Sequence, residues 1–274
     1  MSNYLGELAL QIHRNPGYRD LWFLPLGGTG EIGMNMNLYG HDDAWIMVDC
    51  GVSFDEPINQ NVSQRFDVVC ADPSFITGQV DKLKALIITH AHEDHIGAVA
   101  HLWRRLKCPV YTSAFTAEFL RRKLAEKGLS GQVSIHEVES FQMVQIGPFE
   151  IKWLPLTHSL PEPHSLVIKT SAGKVFHTGD WKMDMNPVIG KPFDKRPFEG
   201  LAKENIDALV CDSTNSNREG RTLSEGQCYT GLLKHVESAK GRVVVACFGS
   251  NVACLLYTSP SPRDQRGSRM PSSA

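Results

Sequence analysis

The chain has no surplus of positive charge. Its 28 lysines and arginines face 30 acidic residues, a formal charge of −2 at pH 7. That excludes a chain-wide nucleic-acid signature but not a local basic channel. It has no cysteine framework either. The seven cysteines, at positions 50, 70, 108, 211, 228, 247 and 254, make no CxxC pair and no regular spacing. They read as reduced thiols of a cytoplasmic protein. No uninterrupted apolar run approaches the roughly 20 residues of a membrane span, and the best candidate, 243–257, is broken by Gly249-Ser250-Asn251. The first ten residues lack the basic stretch that opens a secretory signal. No internal repeat is visible. What is present is 274 residues, 42% of them hydrophobic, enough for one large or two modest domains with a real core.

Apolar runs bounded by turn residues predict strands at 21–26, 35–39, 44–48, 85–89, 110–112, 132–138, 141–146, 149–154, 165–170, 174–177, 207–211 and 242–247. Helical periodicity predicts helices over 94–106, 114–127 and 225–239. Many strands with interleaved helices point to sheets packed inside helical layers. Gly27 to Gly33 contains a formal GxGxxG. A dinucleotide fingerprint needs a helix to follow, whereas Met34 to Val48 reads as two strands around His41-Asp42-Asp43, so a hairpin is expected. The segment 54–64 reads as a polar surface loop. The residues 255–274 turn abruptly rich in Ser, Pro and Arg without periodicity and read as foreign to the fold.

The chemistry is concentrated in His90-Ala91-His92-Glu93-Asp94-His95, directly after an apolar strand. Imidazole nitrogen and carboxylate oxygen are the usual ligands of zinc and its neighbours. His90 and His92, at i and i+2 of extended backbone, share one side. Asp94 and His95 open the next helix. One loop can therefore serve two adjacent metals, a hydrolytic device that activates water and stabilises charge on phosphate or acyl oxygens. Two later strand ends fit the same need: His158, in Pro155-Leu156-Thr157-His158, and Asp180, in His177-Thr178-Gly179-Asp180-Trp181-Lys182-Met183-Asp184. The two carboxylate oxygens of Asp180 suit it to bridging.

The order Asp49, His90-x-His92-x-Asp94-His95, His158, Asp180 resembles the metallo-β-lactamase superfamily. The glycine-rich segment Leu24 to Met36, Thr157-His158-Ser159-Leu160-Pro161-Glu162, the Asp180 segment, and Asp212-Ser213-Thr214-Asn215 followed by Arg221-Thr222-Leu223-Ser224-Glu225 narrow the likeness to the ribonuclease J family, over about residues 20–254. The resemblance implies an α/β (α+β) fold, the metallo-β-lactamase αββα sandwich, with the start of an inserted β-CASP domain. Its divisions would be 1–19 an extension, 20–220 the metallo-β-lactamase domain without its closing strands, 221–254 the start of β-CASP and 255–274 a non-native tail. It implies a cytoplasmic, zinc-dependent 5′→3′ exoribonuclease with endonuclease activity, working in mRNA decay and rRNA maturation. RNA is the implied partner and the full-length protein a dimer or tetramer, with no membrane association.

By the same resemblance His90, His92 and His158 bind one zinc, and Asp94 and His95 the other, with Asp180 bridging; manganese or magnesium are the substitutes. Asp94, Asp180 and Asp212 are the implied catalytic carboxylates, and Asp212 helps position a histidine that protonates the leaving group. Asp49 orients the site from behind the ligands. His164 is a candidate contact for substrate phosphate and Asp67 for an accessory divalent ion. In the family that leaving-group histidine and a last ligand of the second zinc lie beyond the stretch that ends near Cys254. The chain is therefore expected to be weakly active at most and to fold poorly alone. The other readings are a small-molecule hydrolase of the same superfamily (a glyoxalase II-like thioesterase or a lactonase), a non-catalytic RNA-binding subunit, and a flavodiiron-type redox site. Surface positions are expected for His13, His41 and His235, a helix for His101, a strand for His136 and a packed strand end for His177.

Overall fold

The computed structural model describes residues 15–54 and 68–246. Two sheets carry the fold. The first runs β1 (Trp22–Gly27), β2 (Met36–His41), β3 (Ala44–Val48), β4 (Leu83–Ile87), β5 (Val110–Thr112), β6 (Ile135–Glu137) in that spatial order. Its first three strands are antiparallel, and β3 through β6 are parallel. The second runs β11 (Ala208–Val210), β10 (Lys174–His177), β9 (His164–Lys169), β8 (Phe149–Pro155), β7 (Met143–Ile146), with β10 and β11 parallel and the others antiparallel. The helices are α1 (Ser74–Thr77), α2 (Glu93–Ile96), α3 (Val99–Leu106), α4 (Ala114–Glu126), α5 (Arg196–Leu201) and α6 (Glu225–Ser238).

Side-chain alternation makes the layers. Trp45 and Met47 of β3 enter a core with Ile96, Val99, Leu102, Leu106 and Leu120 from the helices. Ile46 and Val48 enter a second core with Phe149, Ile151, Trp153, Leu166 and Ile168 of the other sheet. A strand covered on both faces is apolar at every position, as β3 is. Leu154 and Val167 then meet Leu201 of α5 on the outer face. The order is helix, sheet, sheet, helix: an αββα sandwich. Pro25 sits on the edge strand β1, beside a register shift, where a missing N–H is tolerated.

The expected hairpin is β2 and β3, paired antiparallel around Asp42-Asp43, and the glycine-rich segment before it, with Gly28, Gly30 and Gly33 all at positive φ, leads into β2 with no helix. Three expectations are corrected. The helix foreseen at 94–106 is two pieces. Ala98 N, which would close the turn onto Asp94, donates to Cys50 O instead, and Asp94 O accepts from Asn35 N. Residues 242–246 lie in no strand and are exposed, Val244 at 82%; no described strand lies beside them, so the apolar run has no ladder to join. His41 is buried rather than superficial, its ring nitrogens on Asp20 O and Ser171 Oγ. His101, His136 and His235 are exposed, and His177 is packed at the end of β10. Asp67, His13, the segment 247–254 and the tail 255–274 lie outside the described residues. Among the described residues no helix is long and apolar enough to cross a membrane.

Candidate metal centre

Parallel strands release their loops at the same end, and loops there carry function. Asp49 follows β3 and His90 follows β4 in one sheet. In the other, His158 follows β8, Asp180 follows β10 and Asp212 follows β11. The pairing of the sheets brings four of these loops together. His90, His92, His158 and Asp180 each offer a ligand atom within 4.8 Å of the others, and so do Asp94, His95 and Asp180. The two carboxylate oxygens of Asp180 face different groups. Its Oδ2 lies 4.0 Å from His90 Nε2 and 3.7 Å from His158 Nε2, while its Oδ1 lies 3.3 Å from His95 Nε2. His92 Nδ1 is 3.0 Å from His90 Nε2 and 3.1 Å from His158 Nε2. Nitrogens around one tetrahedral zinc stand about 3.3 Å apart, given bonds near 2 Å. The donor set and its spacing fit a pair of divalent ions.

Behind the ligands lies a polar hub. Asp49 holds φ at 62°, in the left-handed region that Asp tolerates, and is 1% exposed. Its Oδ1 accepts from Thr89 N at 2.8 Å and its Oδ2 meets His95 Nδ1 at 2.8 Å. The Thr89 hydroxyl lies 3.0 Å from Asp49 Oδ2 and 2.9 Å from His90 Nδ1. A hydroxyl has one proton to give. Donating it to the carboxylate, Thr89 accepts from His90 Nδ1–H. His90 then presents an unprotonated Nε2 to the cluster, while His95, its Nδ1 on Asp49, turns its Nε2 to the same cluster beside Asp180.

Asn35 braces the other side. Its Nδ2 donates to Asp94 O at 3.1 Å and stands 3.1 Å from His95 Nε2. Burial, then the neighbouring histidines, hold His90 well below the ordinary range, and burial pushes His158 down to about 4. Burial would lower His95 too, but Asp180 and Asp49 override it and raise its pKa well above the ordinary value. Burial would raise Asp180, yet His95 and the other imidazoles hold it far below the usual carboxylate range.

Thr89 and Asn35 were not singled out in the sequence. Their only signals are a hydroxyl next to His90 and an amide closing the glycine-rich turn. Asp212 belongs to neither donor group. Its carboxylate caps Thr214 N at 2.7 Å, and its N–H donates to Thr178 Oγ1 at 3.0 Å. His164, expected as a phosphate contact, is 4% exposed with Nε2 on Ser140 Oγ at 3.0 Å, so it faces the protein rather than a substrate.

Residues 30–183 match the model of the metallo-beta-lactamase superfamily, and the chain belongs to that superfamily. Within it, the chain is 46% identical over 237 residues to the ribonuclease J of Sinorhizobium meliloti, covering 85% of this chain and 41% of that protein. It is 40% identical over 231 residues to the ribonuclease J of Mycolicibacterium smegmatis, covering 83% and 40%. The chain thus spans about two fifths of the length of these relatives. A crystal structure of a protein of unknown function from Enterococcus faecalis shares the fold, with a TM-score of 0.60 at 16% identity over 87% of this chain and 63% of that one.

Proposed function

We propose that this chain is the metal-holding part of a divalent-ion-dependent ribonuclease of the ribonuclease J type. The observation that carries the reading is the Asp180 carboxylate, which turns one oxygen to each of two donor groups. The likeness to the two ribonucleases J supports RNA as the substrate. His90, His92, His158 and Asp180 would hold one zinc, and Asp94, His95 and Asp180 the other, with manganese or magnesium as substitutes. Two such ions, when bound, offset the charge that develops on phosphate oxygens and lower the pKa of nearby water. The protein supplies the rest. Thr89 and Asp49 fix the tautomers of His90 and His95, Asn35 holds the Asp94 carbonyl, and Asp180 sets the spacing between the two groups. Asp212 would help position the group that protonates the leaving oxygen. A cytoplasmic, oligomeric 5′→3′ exonuclease with endonuclease activity, and a domain boundary near residue 221, complete the proposal.

The test combines metal analysis with two substrates. Zinc-dependent cleavage of a 5′-monophosphorylated RNA, abolished by chelation and weak at most in this chain, is expected. Turnover of a thioester with the RNA left intact would transfer the site to small-molecule hydrolysis. A chain that takes up no divalent ion, or takes up iron alone, would overturn the metal assignment.

A further inference from the structure

Asp184 lies four residues past Asp180 and is 2% exposed, yet it is not among the ligand atoms. Its side chain and backbone tie three segments together. Oδ1 accepts from Asn186 N at 2.9 Å, and Oδ2 accepts from Glu225 N at 2.8 Å and pairs with Lys182 Nζ at 3.1 Å. Asp184 N donates to Thr157 Oγ1 at 3.0 Å, and that hydroxyl donates to Lys182 O. Lys182 N donates to Thr157 O at 2.8 Å, closing an isolated antiparallel bridge between residues 157 and 182. One side of this knot is Thr157, adjacent to His158. The other is Lys182, two residues past Asp180.

The third segment is the N-terminus of α6. Glu225 N reaches Asp184, Gly226 N donates to Asn186 O at 3.0 Å, Val188 N donates to Glu225 Oε2 at 2.9 Å, and Lys182 Nζ donates to Leu223 O at 2.6 Å. The packing is tight: a Cβ on Gly226 would lie 2.1 Å from Asn186 Nδ2. Hydrogen bonds to a charged, buried acceptor are the stronger kind, and orphaned donors are costly.

We propose that Asp184 is a positioning residue that sets the separation of the His158 and Asp180 loops and couples it to the docking of α6. The two loops then move as one unit with the helix: displacing α6 loosens the pair of ligands, and filling the ligand cluster protects the helix end. The role of the cluster as a metal site rests on the function proposed above; the coupling itself does not.

The test uses the same chain with Asp184→Asn, which keeps the shape but not the charge, and Thr157→Val, which removes the shared hydroxyl. Leu201→Ala, a core deletion on the outer face, controls for general destabilisation. Two readouts are taken: amide exchange at Lys182 and Glu225 in metal-free protein, and cobalt(II) titration followed by its visible absorption. We expect Asp184→Asn to speed exchange at both amides by roughly tenfold or more, the scale of one lost charge-assisted bond. Cobalt affinity should fall by a similar factor in Asp184→Asn and Thr157→Val but not in Leu201→Ala. Faster exchange at Glu225 alone, or cobalt binding no weaker than in Leu201→Ala, would overturn the coupling. If the unaltered chain binds no cobalt, the metal assignment fails by itself. The exchange readout then decides: a joint rise upholds the coupling and a rise at one amide overturns it.

Discussion

Gly51 leaves no room for a Cβ because the backbone of residues 94–95 passes where one would stand. A methyl built there would lie 1.6 Å from Asp94 O, 2.0 Å from Asp94 C and 2.7 Å from His95 N. Ordinary carbon contacts sit at about 3.5 Å, so in Gly51→Ala the chain at Asp94 must retreat by well over an ångström. That retreat strains the bonds that hold the segment: Asn35 N to Asp94 O, Val52 N to Glu93 O and Cys50 N to His95 O, all 2.8–3.0 Å. Overpacking costs ~1–3 kcal/mol and each weakened buried bond ~1 kcal/mol. The sum is ~4–6 kcal/mol, or about 10–20 °C in melting temperature for a chain this size. The displacement also falls on Asp94 and His95, and a misplacement of about 1 Å can cost roughly a hundredfold in catalysis. Thermal unfolding and zinc titration of the folded variant are the assays. Gly200→Ala is the control, since its Cβ would meet nothing within 4 Å. A Gly51→Ala protein that melts with the parent and binds zinc equally well would refute the reasoning.

Asp49→Ala removes the acceptor of His95 Nδ1 and of Thr89. Zinc affinity measured by calorimetry should drop ~10–100-fold, the usual effect of losing a partner behind a ligand; an unchanged value would dismiss the hub. Thr89→Val should weaken binding to a similar degree, because His90 Nδ1 loses its hydroxyl. Gly200→Ala, within α5, should stabilise by ~0.5–1 kcal/mol through loss of unfolded-state entropy, and a measured destabilisation would contradict the open space around it.

His177 is buried against Tyr39 OH at 2.9 Å, its pKa lowered from 6.5 to about 4 by burial. The unfolded chain therefore binds this proton first. The stability contribution of the neutral ring is intact above pH 6.5 and is lost as pH falls toward 4. By pH 5 about 2 kcal/mol is gone, at 1.36 kcal/mol per unit. In His177→Gln the gap in urea stability between pH 7 and pH 5 should shrink by that amount, and an undiminished gap would show that other groups cause it.

Much of this was legible because it is local. The strands β3 and β5 were readable to the residue, since apolar runs between turn residues mark buried strands. The ligand loop was legible because three imidazoles and two carboxylates crowd into six positions. What escaped depends on contacts far apart in sequence. The break at Gly97 is set by Asn35 and Cys50, which claim the carbonyl and the amide that a continuous helix would use. His41 looked superficial at a turn, but its partners are Asp20, 21 residues before it, and Ser171, 130 residues after it. Residues 242–246 carry a strand pattern but have no described strand to pair with. Periodicity reports a segment's own preference and is silent about which neighbour satisfies it.

The hub at Thr89 explains why the ligand cluster needs the C-terminal ends of both β3 and β4. An imidazole can serve a metal through Nε2 only if something keeps the proton on Nδ1. For His95 a carboxylate does this directly. For His90 the nearest acceptor is a hydroxyl, which is ambivalent until its own proton is committed, and Asp49 commits it by accepting the hydrogen bond that Thr89 donates. One carboxylate thus selects the tautomer of a ligand in each of the two donor groups. The parallel register of Val48 with Ile87 puts residue 49 opposite 88 and its carboxylate on Thr89, so the partners that hold the two Nδ1 protons are set by strand pairing. A shift of one residue between β3 and β4 would leave the ligand residues in the sequence and remove the cause of their chemistry.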